Sequence, residues 1–254
     1  KSSETSTLFL NCSFLSQGEY LVQIDKALAG NSLTHIVTLN AEMIVEAQKN
    51  ADFRIAVERA ELKIPDGSSL LWAKGYIEKK QNIFISLIKF FFSKKQPLTG
   101  IDSIFDICEA VEKKNGSVYL LGGTQRQAQG TVKVLQKKYP KLAIQILSDK
   151  EKLMQLTKLV KLKATSALLV AYGSPKQTLH IEQNRKSLEA SGIRIAIGVG
   201  GAFAMIAGEL PRAPQFLRTH HLEWLWRLFL EPKRIKRIWN AVVVFPHIVR
   251  GYPH

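Results

Sequence analysis

Glu61-Leu62-Lys63-Ile64-Pro65-Asp66-Gly67 is the stretch whose reading decides the fold. Glu61 to Ile64 reads as a short buried strand. Pro65 lacks an N–H and cannot continue a sheet ladder, so the strand ends there. Gly67 permits backbone geometry that other residues resist. The apolar run Leu70-Leu71-Trp72-Ala73 then begins a helix. Asp66 is thereby placed at the C-terminal mouth of a strand, where open α/β sheets bind ligands. A carboxylate at that position can cap the next helix, or it can belong to a binding site.

Working outward, strands are predicted over 7–14, 35–40, 118–121, 142–147, 167–172 and 193–199. Helical spacing of apolar residues fills the intervals 18–29, 41–49, 51–60, 68–80, 100–114, 125–138, 150–163 and 177–190. The strands are apolar throughout rather than alternating, and they take turns with helices. Both features predict an α/β fold with a mostly parallel sheet and helices on both faces.

The pattern changes at Pro211-Arg212-Ala213-Pro214. Beyond it come Trp224, Trp226 and Trp239, interleaved with Arg227, Arg234 and Arg237. Two parts are therefore expected, a sheet domain over 1–210 and a helical C-terminal appendage over 211–254. The longest apolar run, at 83–92, is interrupted by Lys89 and falls short of the roughly 20 apolar residues that span a bilayer. It predicts a core or interfacial helix. No secretory signal pattern is read.

The 254 residues are 46% hydrophobic, enough for one sizeable domain with an appendage. The net charge of +15 favours an anionic partner: nucleic acid, an acidic membrane surface or a phosphate-bearing substrate. Nucleic acid is the weakest of these, because the basic residues are spread and no binding module is visible. Cys12 and Cys108 lie far apart in segments that read as buried, which fits a reducing compartment. The histidines show no metal-ligand spacing, so no metal site is expected.

Strand ends supply the candidate binding residues. Thr38-Leu39-Asn40, Pro65-Asp66-Gly67, Leu121-Gly122-Gly123-Thr124, Tyr172-Gly173-Ser174-Pro175-Lys176-Gln177 and Val199-Gly200-Gly201 all fall at one predicted sheet edge. Glycines there let a ligand approach the backbone, and exposed N–H groups bind phosphate. There is no Gly-x-Gly-x-x-Gly and no Gly-Lys-Ser or Gly-Lys-Thr, which argues against a dinucleotide fingerprint and a Walker loop. Arg234 and Arg237 follow Arg227 by seven and ten residues. On one continuous helix the three would lie within about 80° of one another, although Pro232 can break that helix. They read equally as a diphosphate clamp, a solvated basic face or a membrane-contacting face.

Taken together, Thr38-Leu39-Asn40-Ala41-Glu42-Met43, Pro65-Asp66-Gly67, Thr99-Gly100-Ile101-Asp102, Leu121-Gly122-Gly123 and Gly173-Ser174-Pro175-Lys176-Gln177 resemble the bacterial WecG/TagA/CpsF glycosyltransferases. So do Gly198-Val199-Gly200-Gly201-Ala202-Phe203, Arg212-Ala213-Pro214 and Leu222-Glu223-Trp224-Leu225-Trp226-Arg227, in the same order and over nearly the whole chain. The resemblance implies a Rossmann-like domain whose appendage completes the site at the membrane. It implies transfer of an N-acetylmannosamine-type sugar, with inversion, from a UDP donor. The implied acceptor is a polyprenyl-diphosphate-linked N-acetylglucosamine in wall teichoic acid-like or related glycan synthesis. No metal or other cofactor is implied. The expected location is the cytoplasm, peripheral on the inner face of the cell membrane, with a homo-oligomer left open.

Carried onto this chain, the resemblance makes Asp66 the general base that deprotonates the acceptor hydroxyl. Thr38, Asn40, Lys176 and Gln177 are then expected around the same pocket, and Gly122, Gly123, Gly200 and Gly201 against the donor. Arg227, Arg234 and Arg237 are expected to neutralise leaving-group or lipid-diphosphate charge. The sequence departs from the family pattern at Leu39, Pro97-Leu98, Thr178, Ala204 and His221. Two other classes remain as alternatives: a non-catalytic basic adaptor on membrane or nucleic acid, and another nucleotide-using α/β enzyme such as a dehydrogenase.

Overall fold

The structure is a computed structural model and describes residues 11–79, 82, 85, 86, 88, 90, 98–147 and 165–251. Among these, β1 (Thr34–Leu39), β2 (Leu62–Pro65), β3 (Ser117–Gly122), β4 (Ala143–Leu147), β5 (Ser166–Ala171) and β6 (Ile193–Gly198) form one sheet. Its order is β2-β1-β6-β5-β3-β4. Every pairing is parallel, which sharpens the expected mostly parallel sheet.

Period-two alternation assigns each strand residue to a face. Ile36, Val118, Leu120, Ala167, Leu169, Ile195 and Ile197 join one buried cluster. It is roofed by α1 (Gln17–Ala29), α5 (Gly100–Lys113) and α6 (Gln125–Lys138). Val37 and Leu39 point the other way, under α2 (Ala41–Lys49), α3 (Ala51–Arg59) and α4 (Ser68–Lys79). Tyr119, Leu121, Leu168 and Val170 continue that second face under α7 (Lys176–Gln183) and α8 (Arg185–Ala190). With both faces covered, strands need to be apolar on both sides, and that is the pattern the sequence carries.

Capping residues at the strand exits start the helices. Asn40 Oδ1 accepts the Met43 N–H at 3.0 Å and starts α2. Thr99 caps α5, and Thr124 with Gln127 forms a capping box on α6. The register pairs Leu39 with Pro65, Gly122 with Ala171 and Val170 with Gly198. The strands therefore end at a common edge. There β5 leads to its neighbour β6, while β3 leads the other way to β4. Their exits diverge, which opens a crevice of the kind that receives ligands in open α/β sheets.

After β6 come α9 (Ala202–Ile206), α10 (Gln215–Thr219), α11 (Glu223–Leu230), a 3₁₀ turn (Pro232–Arg234), α12 (Ile235–Trp239), a π turn (Asn240–Val244) and α13 (Phe245–Arg250). Phe245 and Val249 of α13 are fully buried with α2 and α4 residues, so the C-terminal helices are packed onto the sheet body.

Four sequence expectations change. Cys12–Phe14 is irregular rather than strand: one backbone bond, Ser13 N–H to the Lys63 carbonyl, ties it to β2. Residues 7–10 of that expected strand, the helix over 150–163 and much of 83–92 lie outside the described residues. Pro65 is the last residue of β2 rather than its breaker, because β2 is an edge strand whose ladder tolerates a missing donor. The helix expected up to Ala190 is two helices, broken at Asn184. Arg227, Arg234 and Arg237 do not share one helix, since Pro232 starts a 3₁₀ turn between them.

Candidate active site

A cavity of about 710 Å³ lies over the C-terminal edge of the sheet, with the appendage helices as its outer wall. Its floor is made by the strand exits. The Asp66 N–H donates to the Leu39 carbonyl at 2.7 Å, one residue past the end of β2, so the β1–β2 ladder fixes the carboxylate's base. Gly67 follows at φ 86°, which turns the chain away and leaves Asp66 facing the cavity. The Asp66 carboxylate accepts the N–H of Gly100, the first residue of α5, at 3.3 Å. The carboxylate thus bonds a helix 34 residues downstream rather than capping α4.

Burial pushes the Asp66 carboxyl from 3.8 up to about 6. The Gly100 N–H and the Arg227 charge pull the other way, and Glu223 and Asp102 add to the rise. A carboxyl poised near neutrality, with its base rigid and its tip open to a cavity, suits proton abstraction.

Gln177 organises the two loops beside it. Its Oε1 accepts the Gly173 N–H at 3.1 Å and the Gly200 N–H at 2.8 Å, clamping the β5 exit to the β6 exit. Gly198 makes room for this: a Cβ there would stand 2.6 Å from Gln177 Nε2. The Thr38 hydroxyl donates to the Gly198 carbonyl at 3.3 Å, joining β1 to the same clamp.

Thr38, Asn40, Asp66, Gly123, Gln177, Gly200, Gly201, Arg227, Arg234 and Arg237 all line the cavity. Two expected site residues are placed differently. Gly122 is not on the cavity lining but packs against Tyr172, whose ring would be 2.8 Å from an added Cβ. Lys176, at the first position of α7, is exposed and off the cavity lining.

Each arginine of the trio is paired with a carboxylate. Arg227 Nη2 lies 3.5 Å from Glu223 Oε1, Arg234 Nε 2.9 Å from Glu231 Oε2, and Arg237 Nε 2.7 Å from Glu42 Oε2. Burial, with Arg237 and Arg227 nearby, lowers the Arg234 guanidinium below its ordinary value against the pull of Glu231. A buried cation crowded by like charges gains when an anion arrives. Arg212, Arg218, Glu42, Asp102 and Tyr172 also line the cavity and were not singled out as site residues in the sequence. Arg212, Glu42, Asp102 and Tyr172 stood inside quoted motifs; Arg218 carried no signal. Among the described residues, no group of three His, Cys, Asp or Glu side chains could hold a metal ion.

The sequence profile of the Glycosyl transferase WecG/TagA/CpsF family matches residues 7–252. The chain is also 26% identical over 210 residues to the N-acetylglucosaminyldiphosphoundecaprenol N-acetyl-beta-D-mannosaminyltransferase of Bacillus spizizenii. That alignment covers 82% of this chain and 76% of the relative.

Proposed function

The chain belongs to the WecG/TagA/CpsF family of glycosyl transferases, and we propose that it moves an N-acetylmannosamine-type sugar from UDP to a polyprenyl-diphosphate-linked N-acetylglucosamine. The observation that carries the mechanism is Asp66, a carboxylate raised to about 6 on the floor of an arginine-lined cavity. The acceptor specified in the relative's name is a sugar on a lipid diphosphate, a group whose oxygens the guanidinium forks on the cavity wall can bind.

The reaction is a single displacement. An acceptor hydroxyl attacks the anomeric carbon of the donor sugar while Asp66 takes its proton. The new C–O bond forms as the bond from that carbon to the UDP β-phosphate oxygen breaks. UDP departs with the electron pair, and Arg227, Arg234 and Arg237 carry its charge in place of a divalent ion. UDP-hexosamines hold the sugar in α linkage, so one displacement inverts it; the β product in the relative's name fits that outcome.

No helix among the described residues is long and apolar enough to cross a membrane. The appendage nevertheless exposes Phe229 at 79% and Trp239 at 60%, near Lys233 and Lys236. That combination supports peripheral docking on an anionic cytoplasmic leaflet, where the lipid-linked acceptor lies. Family membership removes the grounds for the basic-adaptor and dehydrogenase alternatives.

The test is product analysis. The chain, UDP-N-acetylmannosamine and a short-prenyl diphosphate N-acetylglucosamine should give a β-linked disaccharide by NMR, with one UDP released per product. An α-linked product would overturn inversion, and no UDP binding would overturn the donor.

A further inference from the structure

The cavity has a second wall, carrying two further arginines, that the Arg227, Arg234 and Arg237 set does not account for. Residues 211–221 place Arg212, Arg218 and His221 on its lining. Arg212 Nη2 lies 3.5 Å from Asp102 Oδ1. Asp102 stands two residues past Gly100, whose N–H holds Asp66, so this wall flanks the base. Arg218 Nε donates to the Ala213 carbonyl at 3.0 Å, which sets the direction of its guanidinium.

His221 is buried and stacks on Phe90 with ring centroids 4.2 Å apart. Its φ of 60° is one that L side chains rarely adopt. Backbone of this kind persists where the surroundings enforce it, and it clusters at ligand sites. Arg234 and Arg237, by contrast, face the β6 and β1 exits: Arg234 Nη2 is 3.7 Å from where a Gly201 Cβ would stand, and Arg237 holds Glu42.

Both substrates of the proposed reaction carry a diphosphate, and both must be present at transfer. The acceptor's hydroxyl has to reach Asp66, and its diphosphate then lies one sugar ring away, on the base's side. Its lipid must leave toward apolar surface. Phe216, between Arg212 and Arg218, is 67% exposed.

We propose that Arg212, Arg218 and His221 form the subsite for the acceptor's lipid-linked diphosphate, with Arg218 as its specificity-determining residue. The donor diphosphate takes the other set. This inference rests on the reading above that two diphosphate-bearing substrates share the cavity.

The test is calorimetric titration of the full chain with UDP and, separately, with a short-prenyl diphosphate N-acetylglucosamine. Arg218→Ala should weaken the acceptor mimic at least tenfold and hold UDP within twofold. Arg234→Ala should do the reverse. If Arg218→Ala lowers the melting temperature, Arg218→Gln, which keeps most of the side chain, is titrated in its place. Acceptor affinity within twofold of the parent chain, or equal loss of both ligands in a variant that melts normally, overturns the subsite. A parent chain that binds UDP but not the mimic overturns it together with the acceptor assignment. If both ligands bind in the expected pattern and no sugar moves, the subsite stands and the proposed reaction falls.

Discussion

At the scale of the residue, Asp66 sets two effects against each other. Burial raises its carboxyl to about 6, so the unfolded chain releases this proton at lower pH than the folded one. The charged form therefore costs stability as pH rises from about 3.8 through about 6, and that cost is full above it. Asp66→Asn keeps an acceptor for the Gly100 N–H and removes the charge. It should stabilise the fold at pH 8 by about 1–3 kcal/mol, read by denaturant titration, and the gain should vanish near pH 4. Transfer should fall by about 10²–10⁴-fold in the same variant. In the parent chain the base works when deprotonated, so kcat/KM should climb with pH through about 6 and then level off. A flat profile between pH 5 and 7 would count against this assignment. In the sequence Pro65-Asp66-Gly67 alone favours a helix cap at the strand mouth, and only the family resemblance lifts the base reading of Asp66 above it. What separates them is its bond to Gly100, a contact across 34 residues that no local pattern encodes.

At the scale of the element, the site depends on the clamp between the β5 and β6 exits. Gly198→Ala would press a methyl group into the Gln177 side chain, 2.6 Å from Nε2. Overpacking of this kind costs about 1–3 kcal/mol. The melting temperature should drop and UDP affinity should weaken, because Gln177 Oε1 also holds the Gly200 N–H; unchanged UDP affinity would show that the clamp does not shape the donor site. Most strands and helix starts are legible, since apolar runs and helical spacing are local signals. The convergence of Arg227, Arg234 and Arg237 was less so. Helical spacing suggested a shared face, yet Pro232 breaks the helix and the bend itself brings the three to the cavity. The strand does end at Pro65, one residue later than the sequence pattern places it, because β2 lies at the sheet edge, where a missing N–H is tolerated. Arg218 was invisible because nothing adjacent to it marks a site.

At the scale of the whole molecule, a cavity between sheet and appendage requires the appendage to be docked. Phe245 and Val249 fix it to α2 and α4 from inside, while Phe229 and Trp239 face outward. Binding to vesicles rich in anionic lipid should weaken as salt rises from 50 to 500 mM on the order of the screening of surface charge. Phe229→Ser should weaken it about tenfold, the equivalent of roughly 1.5 kcal/mol of apolar burial. Salt-independent binding, or none lost in that variant, would count against the proposed membrane face. Whether Asp66 is the base of a glycosyl transfer is decided by acceptor-dependent UDP release from UDP-N-acetylmannosamine, measured on the parent chain and on Asp66→Asn. Release should require the lipid-diphosphate acceptor and collapse in the variant while UDP still binds. Equal release from both chains would contradict that role and leave Asp66 as a structural tie between β2 and α5.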